Sequence, residues 1–360
     1  MARVWRRGCL QSGSGGDFSK LGFDDMQILM TDAAHRRIAD RLAKIVPDAE
    51  VVTVTAPETF EFRGQPIAAE QVKPEVVFFS FDSRPSTTNP TLFKRIFKAG
   101  GATRWAQVQA AGMDNPVFRS VAECGVRMTK SSAQATPIAE YVVSHAVSLL
   151  APIEAQAAAQ KAHAWKQTRY HEISRTRWVM VGYGAIGQEI AKRVKAFGAH
   201  LTVVRRSLSP DPLVDQVVPF EDLRKVSAQA DVVVLACALN DQTRNMCDEA
   251  FFQALNPGAL LINISRGAMV DEDALRAGLD REQPRRAVLD VTATEPLPQD
   301  HWLWDHPKVR VSAHTSHASD GNQDRLDELF LENLRRYVAG EPLIREADPS
   351  ETGLPARQPA

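Results

Sequence analysis

The sequence predicts an α/β chain built from two Rossmann-like parallel-sheet domains, the second shaped to hold a dinucleotide. Three observations carry that prediction. Short apolar runs alternate with helical patterns along almost the whole chain, which indicates sheets covered by helices on both faces. A G-x-G-x-x-G turn stands between one such run and an amphipathic stretch. The 360 residues are enough for two domains of ordinary size.

The chain is organised around the glycine turn. Arg177 to Val181 reads as a strand, Gly182-Tyr183-Gly184-Ala185-Ile186-Gly187 as the turn, and the stretch closed by Gly198 as a helix. Gly182 would permit the tight bend, Gly184 would let backbone approach a pyrophosphate, and Gly187 would bring the helix close to the sheet. The helix N-terminus then offers N–H groups to the phosphates. About twenty residues on, the strand His200–Val204 runs into Arg205-Arg206-Ser207 with no acid in reach. Two guanidinium groups and a hydroxyl suit a ribose 2′-phosphate, so NADP(H) is predicted as the preferred cofactor, with NAD(H) as the secondary one. A solvated basic strand end, neutral to either cofactor, is the alternative reading.

The first unit is predicted from strands at Gln27–Met30, Val51–Val54, Glu75–Ser80, Trp105–Gln109 and Val126–Thr129. Helices fall at His35–Ile45, Thr91–Ala99 and Pro116–Ala122. Thr136 as N-cap and Pro137 at the first helical position open a long helix that Pro152 should kink. Beyond the glycine turn, strands are expected at Asp231–Leu235, Ala259–Ile264, Ala287–Val291 and Val309–Ser312. Helices are expected at Asp248–Leu255, Glu272–Leu279 and Asp324–Ala339, the last ended by Gly340. Residues 1–25, with Arg3, Arg6, Arg7 and a Ser/Gly run, show no hydrophobic period and read as a disordered arm, and the stretch 346–360 as a mobile tail.

Charge and cysteine usage bound the function classes. Lys and Arg number 43 against 44 for Asp and Glu, so nothing suggests a nucleic-acid-binding or membrane-directed surface. Cys9, Cys124, Cys237 and Cys247 stand far apart, with no partner at metal spacing, and read as reduced thiols of a cytoplasmic protein. No metal site is predicted. No apolar run approaches the ~18 residues of a membrane span.

Ligands of such sheets lie outside the carboxyl ends of the strands. Three consecutive strand ends carry polar groups there: Ile264-Ser265-Arg266-Gly267, then Asp290 through Glu295, then Ser312 through Ser316 with His314. Reducing a 2-oxo acid with a nicotinamide needs a cation for the carboxylate and an acid for the forming alkoxide. Arg266 has the planar fork for the first task. His314 suits the second because imidazole titrates near neutrality. Glu295 is the carboxylate that would orient the ring and favour its protonated form.

These motifs resemble the D-isomer-specific 2-hydroxyacid dehydrogenase family. The resemblance rests on Gly182 through Gln188, Pro257 through Leu275 around Arg266, Leu289 through Pro298 around Glu295, Leu303 through Pro307, and His314, in the family's order and spacing from about Gln27 to Leu343. It implies Arg266 as substrate anchor, Glu295 as partner of the histidine and His314 as acid/base. It implies a nucleotide-binding domain at 134–316, inserted into a discontinuous, flavodoxin-like substrate domain at 26–133 and 317–345.

The same resemblance implies a cofactor cradle of the glycine-turn residues, Arg205, Arg206, Ser207, Cys237, Ala238, Leu239, Thr243, Ile264, Ser265, Arg266, Asp290, His314 and Ser316. The substrate would meet Phe81, Asp82, Ala111, Gly112, Arg266 and His314, and the long helix from Thr136 resembles the one that builds the family's homodimer.

Some positions depart from the pattern. Ser316 and Ala238 replace a common glycine and proline, and Asp82 would repel a carboxylate unless it points away or binds a hydroxyl. The strand end Arg205-Arg206-Ser207 resembles the NADPH-using glyoxylate/hydroxypyruvate reductase branch, so reduction of a small 2-oxo acid to the D-2-hydroxy acid is the preferred reaction. Formate oxidation is disfavoured by Glu295, since formate needs no proton donor. The rival from another class is a nucleotide-sensing, corepressor-like binding protein.

Overall fold

The computed structural model describes residues 26–56, 58–83, 90–98 and 100–355. The expected N-terminal arm, 1–25, and the last five residues of the expected tail lie outside them. The chain divides into two compact units. One holds the chain up to Gln107 with Glu123–Met128 and Phe330–Leu343, and the other holds Val108–Ala122, Thr129–Leu329 and the segment from Ile344.

The first unit starts with β1 (Gln27–Thr31), every residue of which is buried. Thr31 caps α1 (Asp32–Ala43): its hydroxyl accepts the Ala34 N–H, and Ala34, Ile38 and Leu42 face inward at helical spacing. There follow β2 (Glu50–Ala56), β3 (Thr59–Phe62), β4 (Gln65–Ile67), β5 (Val76–Phe78), α2 (Pro90–Ile96), β6 (Trp105–Gln107) and β7 (Arg127–Thr129). The sheet order is β4-β3-β2-β1-β5-β6-β7. Strands β2, β1, β5 and β6 run parallel, which with β7 gives the flavodoxin-like order.

The hairpin β3–β4 is an addition that the sequence reading did not include. It is antiparallel and turns on Arg63-Gly64, both at positive φ (52° and 74°), the backbone of a two-residue primed turn.

The second unit holds α3 (Pro116–Glu123, its last residue excepted), α4 (Ala135–Leu150), α5 (Ile153–Lys161), β8 (Arg177–Val181), α6 (Ala185–Ala196), β9 (His200–Val204) and β10 (Gln216–Val218). It continues with α7 (Leu223–Ser227), β11 (Val232–Leu235), α8 (Glu249–Ala254), β12 (Leu260–Asn263), α9 (Glu272–Asp280), β13 (Arg286–Leu289) and β14 (Val309–Val311). All seven strands are parallel, in the order β10-β9-β8-β11-β12-β13-β14. This is the doubly wound order with one extra strand, and it reverses between β8 and β11.

Alternate residues of each strand feed two separate cores. Val179, Val181, Val233, Leu235 and Leu261 belong to one, and Trp178, Met180, Val232, Val234 and Ile262 to the other. Helices α4 and α6 cover the second core through Ile138, Val142, Ala146, Ile190 and Val194.

Several expectations need correction. Helix α4 begins at Ala135, so Thr136 is not its cap and Pro137 is its third residue, where the missing N–H is still harmless. Pro152 ends the helix rather than bending it in its interior, and α5 leaves at 58°. The short strand β10 was not anticipated. The stretch from Glu346, expected to be mobile, carries structure as far as Pro355: Glu346 bridges to Thr129, and Asp348 caps a turn at Pro349–Thr352. Among the described residues no single helix is long and apolar enough to cross a membrane.

The last helix, α10 (Asn322–Val338), contributes Phe330 and Tyr337 to the first unit. There Phe330 stacks on Phe78 with ring centres 4.1 Å apart, and Trp105 lies against both Phe330 and Tyr337.

Candidate active site

At the switch point of the second unit the three glycines have distinct reasons to be glycine. Gly182 has φ +98°, and a Cβ there would lie 2.5 Å from the Ala236 carbonyl oxygen just past β11. A Cβ on Gly187 would lie 2.9 Å from the Gly182 oxygen, so α6 could not sit so close to the strand. Gly184 caps α6, and a Cβ there would meet open space. A tight bend, a close helix and an open approach to a helix N-terminus are what a pyrophosphate requires, so these residues fit a dinucleotide.

Beside the turn, the Arg205 guanidinium lies 5.0 Å from the centre of the Tyr183 ring and also donates to the Ser209 carbonyl. Burial and the neighbouring Asp211 push the Tyr183 phenol up to about 12. Arg206 and Ser207 are exposed, and Arg206 makes no ion pair among the described residues.

After β11, Cys237 packs its sulfur 3.8 Å from that of Met269, and burial pushes its thiol up to about 12. The loop then closes on Thr243, whose hydroxyl donates to the Ala238 oxygen at 2.9 Å and accepts from the Asn240 N–H at 2.8 Å. Leu239 packs its half-buried side chain against the core.

The turn after β12 is held by Asn263. Its side chain accepts from the Ser265 N–H and donates to the Arg266 oxygen, while the Ser265 hydroxyl donates to the Leu235 oxygen. Ile264 and Ser265 are buried, which leaves Arg266 as the polar projection of this strand end. Arg266 donates from Nε and Nη2 to the two oxygens of Asp114, at 2.8 and 2.7 Å, and from Nη1 to the Ser265 oxygen at 2.8 Å. The same pair holds the Asp114 carboxyl below the usual range, with hydrogen bonding to Arg266 as the largest cause. Asp114 follows Ala111, Gly112 and Met113 in a loop that groups with the second unit.

Asp290, after β13, is buried and organises the loop after β14. It accepts from the Ser312 hydroxyl at 2.6 Å, from the Thr315 and Ser316 N–H groups at 2.9 and 3.0 Å, and from the Ser316 hydroxyl. Its carbonyl accepts the His314 N–H at 2.8 Å. Ser316, a departure from the family pattern, thus supplies one more donor to this carboxylate. Tyr141 of α4 joins the network by a 2.7 Å bond with the Ser312 hydroxyl.

His314, held at φ +53°, projects its ring beyond the loop, and its Nδ1 meets Glu295 Oε2 at 2.9 Å. The other Glu295 oxygen accepts the Thr292 N–H at 3.2 Å. The Arg266 guanidinium is influenced by Glu295, and Asp114 by His314, so the four charged groups share one electrostatic neighbourhood.

The remaining expected substrate contacts, Phe81 and Asp82, follow β5 in the first unit. There Asp82 is 2.7 Å from Arg37 of α1 and accepts from the Ser80 hydroxyl at 3.0 Å, so its charge is offset locally. Sequence reasoning named Ala111 and Gly112 of the other loop and overlooked the carboxylate of Asp114.

Residues 143–316 match the family described as D-isomer specific 2-hydroxyacid dehydrogenase, NAD binding domain. Among curated relatives, the glyoxylate reductase/hydroxypyruvate reductase of Homo sapiens is 28% identical over 261 residues, covering 70% of this chain and 80% of the relative. A D-isomer specific 2-hydroxyacid dehydrogenase family protein from Aeromonas salmonicida superposes with a TM-score of 0.73 at 26% identity, covering 91% of this chain and 99% of the other. The NADPH-dependent glyoxylate/hydroxypyruvate reductase of Sinorhizobium meliloti, solved with NADP and sulfate, shares the fold at TM-score 0.71 and 21% identity, covering 91% and 99%. Sequence motifs, sheet order and this match agree: residues 143–316 match the NAD-binding domain of the D-isomer specific 2-hydroxyacid dehydrogenases, and the chain, like its relatives, is an NAD(P)-dependent oxidoreductase.

Proposed function

We propose that the protein reduces a small 2-oxo acid to the D-2-hydroxy acid with NADPH as the preferred electron donor. The observation that carries this reading is the His314–Glu295 pair at 2.9 Å, electrostatically linked to Arg266, on the sheet edge that also bears the glycine turn. The second unit is the nucleotide-holding part, with 134–316 as its core, and 26–133 with 317–345 supply the substrate-binding part.

When bound, the reduced nicotinamide supplies a hydride to the carbonyl carbon. Arg266 holds the substrate carboxylate and draws electron density toward the carbonyl oxygen. His314 delivers the proton that this oxygen needs. Its Nδ1 is engaged by Glu295, so Nε2 is the nitrogen that faces the substrate, and the carboxylate holds the ring in that orientation. Asp290 keeps the His314 loop in place through the bonds described above. In the oxidative direction the same nitrogen takes the proton back.

Two features support NADPH over NADH. Arg205, Arg206 and Ser207, and no carboxylate, follow directly on β9 in the sequence, and Arg206 is exposed and makes no ion pair among the described residues. Arg205, laid over Tyr183, stiffens the turn, which leaves Arg206 and Ser207 to meet the 2′-phosphate. The named relatives that act on glyoxylate and hydroxypyruvate point to the same substrate size. Pairing of two copies through α4 and α5 fits the exposure of Ile153, Trp165 and Tyr170 on one chain, and the widely spaced thiols fit a cytoplasmic enzyme.

Following NADPH oxidation with glyoxylate, hydroxypyruvate and larger 2-oxo acids tests the reading directly. Turnover with one or more is expected; tight cofactor binding with no turnover on the whole panel would favour a nucleotide-sensing protein instead. Arg206→Ala is expected to raise KM for NADPH roughly tenfold or more, the loss of one charge-assisted hydrogen bond, and to change KM for NADH little. An equal rise for both cofactors would remove Arg206 from phosphate recognition.

A further inference from the structure

The substrate-anchoring cation proposed above is already paired. A guanidinium carries five N–H donors. Three of those on Arg266 are used, two by Asp114 and one by the Ser265 oxygen, which leaves one N–H on each terminal nitrogen. Those two can take one carboxylate in a bidentate arrangement without displacing Asp114. The loop is shaped to permit this pairing: a Cβ on Gly112 would lie 2.8 Å from Arg266 Nη2 and 3.0 Å from Asp114 Oδ1. Asp114 has no competing duty at the start of α3, because Asn115 caps that helix by accepting the Val117 N–H at 3.0 Å.

We infer that Asp114 is a positioning and specificity-determining residue, which aims the free edge of Arg266 at one carboxylate and offsets its charge, so that the site takes monoanionic 2-oxo acids and turns away dianionic ones. This rests on the function proposed above. On the second unit, Arg266 and His314 are matched one for one by Asp114 and Glu295, so these four groups, with the ring protonated for transfer, leave no net positive charge to attract a second anionic group. A monoanion gains the two directed hydrogen bonds and meets little repulsion. A dianion gains the same bonds and places an extra charge near Asp114, at a separation where Coulomb energies amount to kcal/mol. Substrates bearing a phosphate or a second carboxylate are therefore disfavoured, and those with a hydrogen, hydroxymethyl or alkyl group are accepted.

Oxamate and oxalate give a test without turnover, because they are nearly the same shape and differ by one charge. Calorimetric Kd values for both, with NADPH present so that the nicotinamide ring is uncharged, should favour oxamate in the unmodified protein. In Asp114→Asn the oxalate-to-oxamate Kd ratio should fall about tenfold, as expected for loss of one charge in a half-exposed site. A purely structural role would weaken both ligands by the same factor, and that result, an unchanged ratio, or absence of binding by either anion overturns the proposal. Kinetics with glyoxylate separate the aiming role: Asp114→Asn, which can still accept from Arg266, should keep kcat within a few-fold, whereas Asp114→Ala should lower it further. An alanine variant with the kcat of the asparagine one would refute the aiming. If no 2-oxo acid is turned over yet the anion ratio shifts as described, the reductase reading fails and the role of Asp114 in selecting anions stands.

Discussion

With His314 replaced by alanine, kcat/KM for a 2-oxo acid is expected to fall by about 10²–10⁴, the range ascribed to a well-placed general acid. The ring nitrogen not bound to Glu295 is the proposed proton source for the carbonyl oxygen, and alanine leaves that oxygen to water. One complication is built into the position, since His314 has φ +53° and alanine tolerates that backbone poorly. His314→Asn resolves it, because asparagine enters this region readily but cannot act as an acid at neutral pH. Both variants should lose activity alike while NADPH binding, followed by fluorescence, persists. If the asparagine variant keeps the parent kcat/KM, the ring is not the acid and the mechanism proposed here is wrong.

Gly267→Ala is expected to have the largest effect on folding. An ideal Cβ at this position would lie 1.9 Å from the Thr292 carbonyl carbon and 2.0 Å from its oxygen. Those are backbone atoms of the segment that leads to Glu295, so no side chain can swing aside to make room. Overpacking usually costs about 1–3 kcal/mol, and a clash with fixed backbone belongs at or above the top of that range. For a chain of this size the unfolding midpoint should drop by roughly 6 °C or more. The adjacent Arg266 would be displaced as well, so activity should fall with stability. A midpoint within about 2 °C of the parent would mean that the two segments are less closely packed than described.

The parts of this molecule legible in its sequence are those whose cause is local. The glycine turn could be read because its six residues stand between an apolar run and a helical pattern, and the strand ends because each candidate catalytic group follows within a few residues of an apolar run. Fold class followed from the same alternation. The hairpin β3–β4 escaped because Thr59–Phe62 is too short to show a period, and only Arg63-Gly64 hints at a turn. Helix α5 was expected only as the continuation of a helix kinked at Pro152, because its residues are almost all exposed and carry no apolar stripe to mark it as separate. The Asp114–Arg266 pair joins residues 152 apart, and no local pattern says which of many carboxylates meets a given guanidinium. Asp290 was read as a cofactor contact; that its two oxygens accept from four donors of the His314 loop is an arrangement visible only once β13 and β14 lie side by side.

The outermost strands have a consequence for solubility. Both margins of the second sheet, β10 and β14, are three residues long, and the hairpin ends the first sheet on Gln65-Pro66-Ile67. Proline offers no amide hydrogen to an incoming strand, and so short a ladder gives a stranger little to grip. Open sheets of this kind would otherwise template edge-to-edge aggregation, and here brevity and one imino acid guard against it.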